Sequence, residues 1–352
     1  MTRAQQEAPP SAQPPHLSRR GKVTIRQVAA AAGVSRATAS RVISGSTLVS
    51  DNARAAVETA IAELGFTPSA AARSLALGRS DAVALVLPEP NSRVLTDPFF
   101  ARIILGLSSC LEEEDQQLVL LIARPGEGAG RITRYLEAGH VDGAIIASHH
   151  RDDSLNSMVV HTSLPCVFIG RPLGVSNAHY VDMDNVSGAR LATDHLIATG
   201  HKRIATIAGP QDMTAGVDRL QGWRQAMRAA GLPDDAVAYG DFTQEGGREA
   251  ARLLLERHPD VDAIFVASDL MAAAALSELA GHGRRAPGDV AIIGFDDFDI
   301  AQSTDPPLST IAHPVTEMAD KAGGILLDLL AGNDRGNDPV LYAPQLVLRT
   351  TA

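Results

Sequence analysis

Val23-Thr24-Ile25-Arg26-Gln27-Val28-Ala29-Ala30-Ala31-Ala32-Gly33-Val34-Ser35-Arg36-Ala37-Thr38-Ala39-Ser40-Arg41-Val42-Ile43-Ser44-Gly45 is the stretch on which the fold turns. A helix is expected from Thr24 to about Ala31 with Ile25 and Val28 inward. It stops at Gly33, which takes the left-handed cap conformation without a Cβ penalty. Ser35 then stands as the N-cap of a second helix reaching Ile43. At 100° per residue, Arg36, Ala37, Ser40 and Arg41 share one face, while Thr38, Ala39, Val42 and Ile43 share the opposite one. A third helix is expected from Ser50, with Val57, Ile61 and Leu64 as its apolar stripe and Gly65 as its stop. Helix, tight turn and helix with a basic outer face is the helix-turn-helix arrangement, whose second helix enters the DNA major groove.

Charge divides the chain in the same place. Residues 1–80 carry ten Lys or Arg against four acids, a balance of +6, although the 352-residue chain has a net charge of −10. The remainder is therefore at −16, and a basic head on an acidic body is expected when one part binds a polyanion and the other does something else. Cys110 and Cys166 form neither a disulfide framework nor a spaced metal set, which points to a reducing compartment. Met1 to Ser18 lacks the apolar segment of an export signal, and nowhere do about 18 apolar residues run together, so a cytoplasmic protein without a membrane span is expected.

Beyond Asp81, apolar runs alternate with helix-length segments. Residues 82–87, 118–122, 143–147, 166–169, 204–207, 263–267 and 290–293 read as buried parallel strands. Amphipathic helices are expected at 100–113, 186–199, 215–230 and 270–280, so the body is α/β. Ser268-Asp269 and Asp296-Asp297 end strands where open α/β sheets bind ligands. Enzyme chemistry finds little support. There is no dinucleotide or phosphate loop, no nucleophile elbow and no HExxH pair, and Asp296-Asp297 lacks a second constellation. His149, His150 and His161 have no evident metal partners and read as surface or satisfied histidines. No catalytic residue, metal or cofactor is expected.

The opening stretch resembles the DNA-binding head of the LacI/GalR family of transcriptional regulators. The resemblance implies a tail over 1–21, the helix-turn-helix domain over 22–68, a hinge helix over 69–80 and a two-lobed, periplasmic-binding-protein-like effector domain over 81–352. It places Arg36, Ala37 and Arg41 at base-reading positions and Thr24, Ser35, Thr38, Ser40 and Ser50 near backbone phosphates. In the hinge, Leu75 matches the leucine that wedges between central base steps, with Arg73 and Arg79 near phosphates.

The body carries the same likeness in Asp97-Pro98-Phe99-Phe100, Asp218-Arg219-Leu220-Gln221-Gly222-Trp223, Ala267-Ser268-Asp269 and Gly294-Phe295-Asp296-Asp297. It implies that Phe99 and Phe100 line an effector cleft, that Arg219 and Asp296 are polar anchors from the second lobe, and that Ser268 and Asp269 lie beside them. Trp223, four positions after Arg219, is expected in the core. Gly170-Arg171-Pro172-Leu173-Gly174-Val175, Tyr180-Val181-Asp182-Met183-Asp184-Asn185 and Tyr239-Gly240-Asp241-Phe242-Thr243 resemble cellobiose-responsive members in particular. The implied partners are a palindromic operator, a sugar effector and a second copy of the chain, because two heads on a two-fold axis read a palindrome.

Overall fold

The computed structural model describes residues 23–44, 46, 48–67, 79–124, 129–151, 164–333 and 336–352. The chain divides between Arg79 and Ser80 into two compact units. Arg73 and Leu75 of the expected hinge, and His161, lie outside the described residues.

The first unit contains α1 (Ile25–Ala31), α2 (Arg36–Ile43) and α3 (Asp51–Leu64). Each starts and stops on local chemistry. The Gln27 side chain accepts from the Thr24 N–H at 2.8 Å, and Ser35 Oγ accepts from the Thr38 N–H at 3.0 Å. Gly33 and Gly65 hold φ near +65° and +61°, the left-handed region that ends a helix cheaply only at glycine. Val28, Ala29, Ala39, Val42, Val57 and Ala60 close the core. Leu64 does not join it and stays 37% exposed. The inward face of α3 is met by Val57, Ala60 and Ile61 at i, i+3 and i+4.

The second unit is an α/β body with two sheets. In the first lobe, β1 (Ala82–Leu87), β2 (Gln117–Ile122), β3 (Gly143–Ala147), β4 (Cys166–Ile169), β5 (His179–Met183) and β11 (Val340–Tyr342) form a sheet ordered β11-β5-β4-β3-β1-β2. All its pairings are parallel. In the second lobe, β6 (Ile204–Ala208), β7 (Val237–Tyr239), β8 (Ala263–Val266) and β9 (Ala291–Ile293) form a parallel sheet ordered β7-β6-β8-β9. A short antiparallel pair joins β10 (Thr310–Ala312) to β12 (Gln345–Val347). Strands β5 and β7 do not stand out as apolar runs, because β5 carries His179, Tyr180 and Asp182 and β7 has three residues.

Helices cover the sheets. In the first lobe, α4 (Asn91–Thr96) leads into α5 (Pro98–Glu113), which packs on α12 (Val315–Leu330), while α6 (Ala129–Glu137) follows β2. In the second, α7 (Asn185–Ala198) packs on α8 (Thr214–Ala229), and α9 (Gln244–Arg257) packs on α10 (Asp269–Gly281), with α11 (Asp299–Ser303) beside α10. Gly222 is what lets α7 and α8 approach: a Cβ there would lie 2.2 Å from the Val186 carbonyl oxygen and 2.8 Å from the Ala189 Cβ. The chain crosses between lobes three times, at 183–185, 312–315 and 342–345. One apolar cluster continues through both lobes, holding Val83, Phe100, Trp223, Phe265 and Phe295. Trp223 is fully buried.

Candidate functional site

In the head, the exposed surface of α2 carries Arg36, Ala37 and Arg41, with Ser40 half-buried at its edge. The opposite face buries Ala39 and Val42. Thr24, Ser35 and Ser50 are exposed at helix starts and Thr38 is half-buried. Ser35 and Thr38 share a hydroxyl–hydroxyl hydrogen bond of 2.9 Å, whereas the Ser50 hydroxyl makes no cap bond. Arg79, at the end of the unit, is exposed. Two guanidiniums on one helix face, flanked by small hydroxyl side chains, suit base edges between phosphates.

In the body, a cleft of about 740 Å³, open to solvent, lies where the strand ends of the two lobes face each other. Arg219, on α8, is buried there. Its Nε donates to Asn185 Oδ1 at 2.9 Å, and its Nη1 donates to the Ala267 carbonyl at 2.7 Å and to Asp296 Oδ1 at 3.3 Å. The guanidinium carbon lies 3.6 Å from the centre of the Phe295 ring. Burial pulls its pKa below the usual arginine value, against the neighbouring Asp296 charge. Asp296, bridged in parallel to Ala312, has φ +119°, and Asp297 follows at +55°. Such backbone, costly for non-glycine residues, fixes where the carboxylate points. Asp297 turns away from any paired-carboxylate role and accepts from Arg349 Nη2 at 2.6 Å.

The other expected cleft residues separate. Phe99 and Ser268 line the cleft; Phe100 and Asp269 do not. Phe100 is fully buried, its ring edge-on to Phe99 at 5.4 Å. Asp269 is fully buried behind Ser268, accepting from the Thr310 hydroxyl at 2.6 Å and the Phe298 N–H at 3.0 Å. Burial and the nearby Asp296 charge hold its pKa well above the carboxylate range. Both stand one residue away from a wall position, and each supports that wall from behind.

Several lining residues were not among those expected: Arg93, Asp97, His149, Asn185, Phe242 and His313. Arg93 Nη1 donates to Glu89 at 2.5 Å, and Glu89 also accepts from Ser148 Oγ at 2.6 Å. Asp97 caps α5 through the Phe99 N–H at 3.0 Å, and burial pushes its pKa up to about 6. An Asp before Pro reads first as a helix start, which hides any second use. His149, read as a surface or satisfied histidine, is a buried one. Its Nε2 lies 3.1 Å from the Gly170 carbonyl oxygen, and burial lowers its pKa to about 4, so it is neutral at pH 7. Phe242 sits at φ +66° at the end of the β7 loop, a placement that no residue pattern signals.

The lobes are clasped across the cleft. Arg171 Nη2 donates to both Asp218 carboxylate oxygens at 2.9 and 2.7 Å. His150 Nδ1 lies 2.8 Å from Asp212 Oδ2, and Arg102 Nη2 donates to Asp299 at 3.3 Å. Among the described residues no His, Cys, Asp and Glu set gathers in a way that holds a metal, and no helix is long and apolar enough to cross a membrane. A buried guanidinium and carboxylate beside aromatic faces match adjacent ring hydroxyls, which both donate and accept, and the apolar C–H patches between them.

Comparisons with known proteins agree in both units. Residues 24–69 match the model described as "Bacterial regulatory proteins, lacI family", and residues 193–352 match the "Periplasmic binding protein-like domain". The HTH-type transcriptional regulator CelR of Thermobifida fusca is 48% identical over 338 residues, 95% of this chain and 98% of that protein. The ribose operon repressor of Escherichia coli K12 is 34% identical over 335 residues, 94% and 99% of the two chains. Among solved structures, a transcriptional regulator CelR-cellobiose complex matches with TM-score 0.76 at 46% identity, covering 94% of this chain and 100% of that one. A lac repressor dimer bound to operator and the anti-inducer ONPF matches with TM-score 0.81 at 26% identity, covering 94% and 99%.

Proposed function

The chain belongs to the lacI family of bacterial regulatory proteins, and from that premise we propose that it is a cytoplasmic, homodimeric repressor of carbohydrate-use genes, released from a palindromic operator when cellobiose or a related β-glucoside fills its cleft. The observation that carries the reading is the buried Arg219–Asp296 pair, 3.3 Å apart in a cleft walled by Phe99 and Phe242, on a chain whose head exposes Arg36 and Arg41. The cellobiose-bound relative supports the sugar.

Within this reading, Arg41 offers a bidentate fork to guanine, Arg36 does the same or holds phosphate, and Ala37 contacts at most a thymine methyl. Thr24, Ser35, Thr38, Ser40 and Ser50 position the head on the phosphates. Arg73, Leu75 and Arg79 belong to a hinge that orders over the operator centre, Leu75 wedging a base step. Phe99, Arg219, Ser268 and Asp296 hold the sugar, with Phe100 and Asp269 behind them. Closure around the sugar biases the dimer away from its operator-bound geometry, and linkage makes operator binding oppose sugar binding equally.

The test is thermal unfolding of the purified protein with cellobiose, cellotriose, maltose, xylobiose, galactose and guanine. At about 100 times Kd, a bound ligand adds roughly 2.7 kcal/mol. A rise with the two β-glucosides alone is the expected result, followed by loss of operator binding with the same sugars. A rise only with another member of the panel overturns the β-glucoside assignment, and operator affinity that increases with sugar overturns induction.

A further inference from the structure

His150 follows β3 on the first lobe and stands between two carboxylates. Its Nε2 lies 3.3 Å from Glu89 Oε1, just beyond β1 on the same lobe. Its Nδ1 lies 2.8 Å from Asp212 Oδ2, in the loop after β6 on the opposite lobe. The backbone follows the ring across, with the Arg151 N–H donating to the Asp212 carbonyl at 2.7 Å. His150, Glu89 and Asp212 are not among the residues that line the cleft, although their neighbours Ser148, His149 and Met213 are. This contact therefore joins the lobes beside the effector's place without occupying it.

The ring's surroundings select its protonation state. A neutral imidazole has one N–H and one lone pair. Between two carboxylate oxygens it donates to one, and its lone pair faces the other. Only the imidazolium donates to both. The Glu89 oxygen cannot turn aside, because it is buried and already accepts from Arg93 Nη1 at 2.5 Å and from Ser148 Oγ at 2.6 Å. Around the ring the charged and titratable groups are Glu89 with Arg93 behind it, Asp212 from the other lobe, and His149 and Arg151 beside it in the chain. His149 is neutral at pH 7, its pKa lowered to about 4. The hydrogen bond to Glu89, joined by that to Asp212, outweighs partial burial and raises the His150 pKa above 6.5.

We propose that His150 is a positioning residue that holds the two lobes together over the effector, and that it does so as imidazolium, so that sugar affinity follows pH. This rests on the sugar-effector reading and adds a regulator to it. Opening the lobes takes Asp212 away and leaves the ring with Glu89 alone, so the closed form binds the proton more tightly than the open one. Protonation then stabilises closure, an effect present in full below the ordinary histidine value of 6.5 and lost as pH rises through the raised value. The Arg171–Asp218 clasp stays charged throughout that range, so closure weakens at high pH without being abolished.

Calorimetric titration of the full-length protein with cellobiose at pH 6 and pH 8, in the wild type, His150→Gln and Asp212→Asn, tests this. The ratio of the two affinities is expected to favour pH 6 by roughly three- to tenfold more in the wild type than in either variant. Asp97, with its pKa at about 6, titrates in all three proteins, so the difference between their ratios belongs to His150. A merely structural His150 would lower affinity by the same factor at both pH values, and equal ratios would overturn the inference. A second measurement needs no sugar: the His150 ring, assigned by its loss in His150→Gln, is followed by NMR against pH. Its midpoint is expected above 6.5 in the wild type and lower in Asp212→Asn; identical midpoints would overturn the contact between lobes. If cellobiose gives no heat while the midpoint still falls in Asp212→Asn, the sugar reading fails and the clasp stands.

Discussion

Asp97 and His149 face one cleft with pKa values displaced toward each other, to about 6 and about 4. For Asp97, raised by burial, folding favours the protonated form. Its contribution is present in full below the ordinary carboxylate value and is lost as pH rises through about 6. For His149, lowered by burial, the contribution is present above about 6.5 and is lost as pH falls through about 4. The two slopes oppose each other across that window, each integrating to about 3 kcal/mol. Asp97→Asn removes one slope only, so stability of the variant should climb relative to wild type between pH 4.5 and 6.5. Urea midpoints at the two pH values measure it, and parallel curves would mean that Asp97 titrates as an ordinary carboxyl. In the head, Arg41→Ala should cost about 1–3 kcal/mol of operator affinity and relax preference at one base pair. A uniform loss over all operator variants would reassign Arg41 to phosphate.

At the scale of elements, function depends on how closely two helices meet. The Arg219 side chain reaches Asn185 because α8 lies tightly on α7, and Gly222, one turn after Arg219, is the contact point. Gly222→Val should therefore lower the unfolding temperature of the body and weaken sugar binding together, the cost of overpacking being about 1–3 kcal/mol. Differential scanning calorimetry with and without sugar checks it; an unshifted transition would show that the helices separate at no cost. The proposed hinge makes the complementary prediction. Leu75→Ala should weaken operator binding by losing the wedge while sugar affinity stays as it was, and equal operator affinity in a gel-shift titration would remove the wedge.

At the scale of the whole molecule, charge and linkage divide the labour. The acidic remainder at −16 repels DNA while the head at +6 attracts it, so non-specific affinity resides in the head. Under the proposed function, cleft state and operator binding are joined through a conformational equilibrium rather than a shared residue. Arg219→Ala should consequently abolish the sugar response and spare operator affinity. It also strips Asp296 of its guanidinium, at about 3–5 kcal/mol for breaking a buried pair. Operator titrations with and without cellobiose are the measurement, and a variant that still lets go of the operator would place the effector outside this cleft.

The helices of the head were legible in the sequence, because caps such as Ser35 and stops such as Gly33 and Gly65 act over three or four residues. The buried strands were legible as apolar runs, which desolvation on both sheet faces requires. Family motifs added Phe99, Arg219, Ser268 and Asp296, all of which the fold brings to one cleft. What needed the tertiary structure is anything decided by a single step along a wall. Phe99 and Phe100 are adjacent aromatics, yet 100° of helix rotation sends one to the cleft and the other to the core; Ser268, the extended N-cap of α10, lines the cleft while Asp269, the first helical residue, is buried. Arg93 comes from α4 and His149, Phe242 and His313 from loops, on separate lobes, and their meeting is set by the three chain crossings. Local chemistry fixes elements because its partners are near in sequence, whereas a site between two lobes exists only once distant segments have been brought face to face.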